Sequence, residues 1–249
     1  MNPLREGIIL PLSSVTVVIP MRNEAGNIGL LIDGIEAALS AEPAREIIVV
    51  DDGSTDASAA EVTTRKATLP HLRLLRHPIS GGQSAAVHTG VTAARGEVVC
   101  TLDGDGQNPP EDLPLLLAAL RRAGGGLVAG QRKKRQDTLS KRLASRFANW
   151  IRSRALSDGT RDTGCGLKAF RRDDFLMLPY FDHMHRYLPA LFRRQGLPVM
   201  LVDVGHRARG AGRSNYGNFH RGVVGAVDLL GVMWLIRRRK KVTPAAEES

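Results

Sequence analysis

Over the first 130 residues, short apolar runs alternate with segments of helical period, and three of the runs end in polar, acidic turns. Val15–Ile19 is a β-branched run stopped by Pro20. Ile28, Leu31, Ile32, Ile35 and Leu39 then recur at the spacing of one helix face. Glu46–Val50 is the next strand, halted by Asp51-Asp52-Gly53-Ser54, and Ser54 or Asp56 is placed to cap the helix that follows. Leu72–Leu75 reads as a third strand, Ala85–Ala94 as a helix and Glu97–Leu102 as a fourth strand. Pro109-Pro110-Glu111 opens a helix with Leu113, Leu116, Leu117 and Leu120 on one face, and Leu127–Gly130 is a fifth strand. Near-continuous apolar strands alternating with helices predict an α/β fold with a mostly parallel sheet covered on both faces. Ligands of such sheets bind beyond the carboxyl ends of the strands. Pro20-Met21-Arg22-Asn23-Glu24, Asp51–Asp56 and Asp103-Gly104-Asp105-Gly106-Gln107 all fall at such ends, so they should converge on one crevice.

The character of the chain changes near residue 131. Residues 1–130 carry 10 basic and 15 acidic side chains, a net of −5, whereas 131–249 carry 25 and 10, a net of +15. The basic half should face something anionic, although a solvated basic surface has the same composition. Leu139–Leu156 reads as a helix, Arg161–Phe170 as a Gly-rich loop entering a strand, Tyr187–Phe192 as a short amphipathic segment and Val199–Val204 as a last strand. A hydrophobic content of 43% excludes a disordered chain, and two cysteines exclude a disulfide scaffold and a zinc cluster. Residues 1–14 lack the pattern of a signal peptide. Val223–Ile236 is apolar, but it contains Asp228 and falls short of the roughly 20 residues of a spanning helix. It runs into Arg237-Arg238-Arg239-Lys240-Lys241, the form of an interfacial or subunit-packing helix, with a plain buried helix as the alternative.

Asp103 and Asp105 stand two residues apart at a strand end and can point into one small volume. Unpaired, one would be forced neutral; a divalent cation such as Mg²⁺ or Mn²⁺ relieves the repulsion. An ordinary Asp-Gly turn would use the same residues. Asp51-Asp52 would accept hydrogen bonds from a base or ribose, or else serve the start of the following helix. Neither Gly-x-Gly-x-x-Gly after the first strand nor a P-loop is present, which weakens nicotinamide and P-loop readings. Gly81-Gly82-Gln83-Ser84 opens a helix and would bring amides to an anion, or simply turn the chain.

The three strand-end motifs, Gly130-Gln131-Arg132 and Gly212-Arg213-Ser214-Asn215-Tyr216-Gly217 occur in this order, and together they resemble the family 2 inverting glycosyltransferases, in the dolichyl- or polyprenyl-phosphate sugar synthase branch. The resemblance covers roughly residues 15–236. It implies a GT-A (Rossmann-like) fold over 1–216; beyond it, the residues themselves read as a membrane-associating amphipathic helix with a basic end over 217–241 and a disordered tail over 242–249. The resemblance implies transfer of a sugar from a UDP- or GDP-sugar to a polyprenyl phosphate, on the cytoplasmic face of a membrane, by a peripherally bound enzyme using Mg²⁺ or Mn²⁺. By match to the family's motifs, Pro20, Arg22, Glu24, Asp52 and Asp103 line the nucleotide, and Asp103, Asp105 and Gln107 surround the metal. Arg132, Lys141, Arg142, Ser145 and Ser214 receive the acceptor phosphate, and Asp105, Arg132 and Arg209 are the catalytic set. Asp162, in Asp162-Thr163-Gly164-Cys165-Gly166, falls in a family element without a settled role.

A phosphate acceptor is already an anion, so it needs no general base; positioning and electrostatics then carry the reaction. Many relatives carry transmembrane helices after the catalytic domain, while this chain shows one short amphipathic segment and a basic tail. Homo-oligomerisation or a small membrane subunit are further ways to hold it at an anionic membrane surface. Three other readings compete: a family 2 enzyme with a saccharide acceptor, a nucleotidyltransferase, and a nucleic-acid-binding protein. The last is weakened by a 4% aromatic content with no stacking platform, which favours no nucleic acid as partner.

Overall fold

A computed structural model describes residues 14–132, 152, 154–156, 159–160, 162–207 and 218–238, with side chains in the last segment described from 224 onward. Its frame is a seven-stranded sheet. Strand β1 (Ser14–Met21) is followed by α1 (Ile28–Ala38), β2 (Ala44–Asp51), α2 (Ser58–Lys66), β3 (Leu72–Arg76), α3 (Gln83–Ala93) and β4 (Val98–Thr101). A 3-10 turn over Pro110–Asp112 leads into α4 (Leu113–Ala123) and β5 (Leu127–Arg132). Then come β6 (Lys168–Arg171), α5 (Arg172–Leu176), α6 (Leu188–Arg194), β7 (Val199–Val204) and α7 (Asn218–Arg237). The strand order is β3-β2-β1-β4-β6-β5-β7. Strands β1 to β4 pair in parallel, as do β5 and β7, while β6 runs antiparallel to both β4 and β5.

The apolar strands are buried on both faces, and period two sorts their side chains. Val15, Val17, Ile19, Ile47 and Val49 meet Ile28, Ile32 and Ile35 of α1 and Leu113, Leu116 and Leu120 of α4. Val18, Ile48, Val50 and Val99 meet Ala86, Val87 and Val91 of α3 and Leu188, Leu191 and Phe192 of α6. A Cβ at Gly90 would lie 2.3 Å from Val18, so only glycine lets α3 approach β1 this closely.

The end of β1 differs from the sequence reading for a physical reason. Pro20 does not stop β1, which continues to Met21 in register with Asp51. The Met21 carbonyl accepts the Asp52 N–H at 2.8 Å, on the β2 side, and the Val18 carbonyl accepts the Leu102 N–H at 3.2 Å, on the β4 side. Alternation places the Pro20 nitrogen on the β4 side. A proline has no N–H to give, so the β1–β4 ladder ends there while β1–β2 goes on. The strands part at this point, and the crevice begins. The Gly-rich segment of 162–167 enters β6, an antiparallel strand whose first residue, Lys168, pairs with Thr101 at the carboxyl end of β4.

The apolar segment at 223–236 lies within the 20-residue α7, and no described helix is long and apolar enough to cross a membrane. Its inner face packs on α6: Val232 is buried, Arg194 donates to the Leu235 carbonyl at 3.0 Å, and His183 pairs with Asp228 at 3.0 Å. Val227, Leu230 and Trp234 face outward and are 60–66% exposed. Of the helix expected over Leu139–Leu156, only 154–156 are described as helical among its last residues, with Arg152.

Candidate active site

The loops after β1 and β2 interlock through the motif residues themselves. Asn23 adopts a left-handed backbone (φ +56°), and its N–H donates to the Ser54 hydroxyl at 3.0 Å while its side-chain oxygen accepts the Thr55 N–H at 2.9 Å. The Glu24 N–H donates to the Ser58 hydroxyl at 2.8 Å, the Ala25 N–H to Asp56 at 3.1 Å and the Gly26 N–H to Glu61 at 2.7 Å. The Glu24 side chain is buried and accepts from the Asn27 amide at 3.0 Å. Arg22 is exposed at the rim. The N-cap of α2 is Ala57, neither of the two expected capping residues; Asp56, one residue earlier, accepts the Ser58 N–H at 3.0 Å.

The two carboxylates of Asp51-Asp52 are split between different tasks. Asp51 is fully buried, accepts the Ser54 N–H at 2.8 Å and pairs with Arg76 at 2.9 Å, closing the turn. Asp52 accepts from the Ser80 hydroxyl (2.6 Å), the His77 ring (2.7 Å) and the backbone N–H groups of Gly81 (2.8 Å) and Gly82 (2.9 Å). Burial alone would raise its pKa, but these four donors outweigh it and hold the carboxyl below its ordinary value. In this structure Asp52 therefore ties the loop over 77–82 to the end of β2. Both nitrogens of His77 are engaged, the second with Thr89 at 3.0 Å.

Asp103 leaves β4 at the crevice floor. Burial first, and the neighbouring Asp105 second, push its pKa up to about 6, against the lowering effect of Lys168, Arg132 and Gln83. The Gln83 amide donates to it at 2.7 Å from the start of α3. A Cβ at Gly166 would sit 2.3 Å from the Asp103 carboxyl carbon, so the glycine of the 162–167 segment allows the loop to close onto the acid. Asp105 accepts the Gln107 N–H at 3.1 Å, and the Gln107 carbonyl accepts the Arg207 N–H at 2.9 Å. Arg207 also bridges Glu111 at 2.9 Å, and the Gly205 N–H reaches Asp112 at 2.8 Å. The segment after β7 is thereby fastened to the acidic loop.

Two neighbouring carboxylates, one of them raised by burial and then by the charge of the other, fit a divalent cation. Among the described residues no group of three His, Cys, Asp or Glu side chains is assembled to hold one. A protein offering two carboxylates and leaving the rest of the sphere to phosphate oxygens and water suits Mg²⁺ or Mn²⁺.

Arg132 and Asp162 form a bidentate pair at 2.5 and 2.8 Å, with side chains only 11% and 9% exposed. Hydrogen bonding to Asp162 raises the Arg132 pKa above its usual value. Asp162 thus acquires a defined partner, while Arg132 approaches Asp103 electrostatically and is turned chiefly toward Asp162. Arg209, Lys141, Arg142, Ser145 and Ser214 lie outside the described residues.

The sequence reading missed Lys168 and His185, and named Gln83 only within the Gly81–Ser84 turn. With Pro20, Thr101, Asp103 and Gly166 they line one cavity at the carboxyl edge. Lys168 is 5% exposed and donates to the Cys165 carbonyl; burial lowers its pKa despite the nearby acids. No local motif marks Lys168 or His185. A lysine opening a strand among Leu167, Ala169 and Phe170 was the available signal.

A model of the family described as "Glycosyl transferase family 2" matches residues 16–177. The chain is 34% identical over 234 residues to a dodecaprenyl-phosphate galacturonate synthase of Rhizobium johnstonii, covering 91% of this chain and 68% of that one. It is 34% identical over 209 residues to an undecaprenyl-phosphate 4-deoxy-4-formamido-L-arabinose transferase of Yersinia pestis, covering 83% and 63%. The chain spans 63–68% of the length of these curated relatives. Among solved structures, glucosyl-3-phosphoglycerate synthase from Mycobacterium tuberculosis, in complex with Mn²⁺, UDP and phosphoglyceric acid, superposes with a TM-score of 0.67. At 18% identity, over 92% of this chain and 80% of that one, this likeness shows the fold.

Proposed function

The chain belongs to glycosyl transferase family 2, and from that premise we propose that it moves a sugar from a UDP- or GDP-sugar to a polyprenyl phosphate at a membrane surface. The observation that carries this reading is the 34% identity, over 91% of the chain, to a relative named for a dodecaprenyl-phosphate product. The Yersinia relative is likewise named for a polyprenyl phosphate.

In this reading Pro20, Arg22 and Glu24 border the nucleoside, and Asp52 shapes its wall by holding the 77–82 loop. Asp103 and Asp105, with Gln107 beside them, would hold Mg²⁺ or Mn²⁺. The ion, when bound, offsets charge on the diphosphate leaving group. The acceptor phosphate oxygen attacks the anomeric carbon as the carbon–oxygen bond to the diphosphate breaks, which inverts the anomeric configuration. No proton has to leave the acceptor, so the reaction calls for no general base. Arg132, positioned by Asp162, supplies positive charge on the acceptor side; Lys141, Arg142, Ser145 and Ser214 are assigned to the acceptor phosphate, and Arg209 to the catalytic set, through their family motifs alone. Incubation with undecaprenyl phosphate, a panel of UDP- and GDP-sugars and Mn²⁺ should give a lipid-linked sugar phosphate detectable by mass spectrometry, abolished by EDTA. Transfer to a saccharide acceptor, with none to the lipid, would replace this reading with its competitor.

The membrane-facing element is α7. Val227, Leu230 and Trp234 form an exposed apolar stripe beside Asn218–Arg237's basic end, which continues in sequence as Arg238-Arg239-Lys240-Lys241. Such a helix lies in the interface of an anionic bilayer, as a peripheral attachment on the cytoplasmic side, with each basic residue near the surface contributing about 1 kcal/mol. Binding to phosphatidylglycerol vesicles should weaken steeply between low and high salt and fall further in Trp234→Ala. Absence of vesicle binding, with sedimentation showing a dimer that Trp234→Ala dissociates, would assign the stripe to self-association instead.

A further inference from the structure

His185 sits in a 3-10 turn (Met184–Arg186) against the first turn of α3, far in sequence from every acidic motif. Its Nδ1 lies 2.7 Å from the Ser84 hydroxyl oxygen, and its own backbone N–H donates to that same oxygen at 3.3 Å. Ser84 is 1% exposed. A serine hydroxyl carries one hydrogen and two lone pairs, so it can accept the His185 N–H and still give its hydrogen to Nδ1, the arrangement assigned to this pair. Nδ1 is then the acceptor nitrogen, and in a neutral ring Nε2 carries the hydrogen. Burial first, then the charges of Lys168, Arg186 and His183, hold the ring well below its usual pKa, which keeps it neutral. Among the described residues Nε2 has no hydrogen-bond partner, and His185 lines the same cavity as Asp103, Gln83 and Lys168.

The order of strands says what that cavity is for. Nucleoside-bordering residues follow β1 and β2, and the acidic pair follows β4. The next strand across is β6, which brings Lys168 level with Thr101. A nucleotide sugar laid along this edge has its base by β2 and its diphosphate by Asp103. Its sugar then falls on the β6 side, where the turn carrying His185 closes the wall. Of the donors lining the cavity, the Gln83 amide is turned to Asp103 and the Lys168 ammonium to the Cys165 carbonyl, which leaves the His185 ring to face the space.

We propose that His185, held as its Nε2–H tautomer by Ser84, is a specificity-determining contact that donates to an oxygen of the donor sugar. The inference rests on the family 2 reading and deepens it, since it separates recognition of the sugar from recognition of the nucleoside diphosphate.

The test compares nucleoside diphosphate with nucleotide sugar on the full chain with Mn²⁺. Wild type is titrated calorimetrically with UDP, GDP and their hexose and hexuronate conjugates, to select the pair that binds. His185→Ala should keep its affinity for the nucleoside diphosphate and lose about tenfold for the nucleotide sugar, the worth of one hydrogen bond in a desolvated site. His185→Gln places an amide N–H near the position of Nε2 and should recover most of that loss; His185→Asn, whose amide lies near Nδ1, should not. Ser84→Ala, which releases the tautomer, should fall between. Equal affinity of wild type and His185→Ala for the nucleotide sugar would overturn the proposal. So would a parallel loss for diphosphate and sugar conjugate, which marks a structural role. A wild type that binds no nucleoside diphosphate at all would instead overturn the family-level function on which the proposal stands.

Discussion

Asp105→Ala should lower sugar transfer by about a thousandfold, equivalent to ~4 kcal/mol of transition-state stabilisation, while leaving the fold intact. Among the described residues the carboxylate accepts the Gln107 N–H of its own loop at 3.1 Å. Its effect on Asp103 is repulsive, adding to burial in pushing that pKa up to about 6. Removing it therefore relieves the apoprotein rather than straining it, and the Asp103 carboxyl should return toward its ordinary value. The loss appears only when charge must be gathered for the diphosphate. Circular dichroism and the thermal midpoint report the fold, and turnover with the donor identified by the panel reports chemistry. Full activity in a folded Asp105→Ala variant would remove Asp105 from the metal site.

The second large effect is on stability. Asp162→Ala should destabilise the protein by about 3–5 kcal/mol, because it leaves the Arg132 guanidinium buried without its bidentate partner. Replacing both residues with apolar side chains of similar volume, as in Arg132→Met with Asp162→Leu, should restore much of that stability and no activity. Arg132→Lys should fail to substitute, since an ammonium cannot span both carboxylate oxygens. Urea midpoints at constant m-value measure these terms. An unchanged midpoint in Asp162→Ala would show that the pair is not the anchor of this wall.

The frame of the crevice was legible in the residues. Period-two burial and β-branched runs give strands covered on both faces, and polar turns after β1, β2 and β4 gather where a parallel sheet must place them. The roles within those turns were less legible. In a dipeptide such as Asp51-Asp52, adjacent side chains of a strand point to opposite sides, so one is swallowed by its turn and the other faces the 77–82 loop. Which does which depends on Arg76 and His77, supplied by β3 and the residue after it. Pro20 read as a strand stop; register shows that it ends one ladder and not the strand.

What the sequence by itself determined is the alternation of strand and helix, the acidic strand ends and the division of charge between an acidic and a basic half, because each depends on side chains near in the chain. What the tertiary structure decided is which distant groups meet. The antiparallel insertion of β6 carries Lys168 under Asp103, Gly166 lets that loop close, Asp162 takes hold of Arg132 across 30 residues, and Ser84 meets His185 across 101. Each depends on how the sheet is ordered and on how closely two backbones approach, and these are set by the packing of the whole fold rather than by any local pattern of residues.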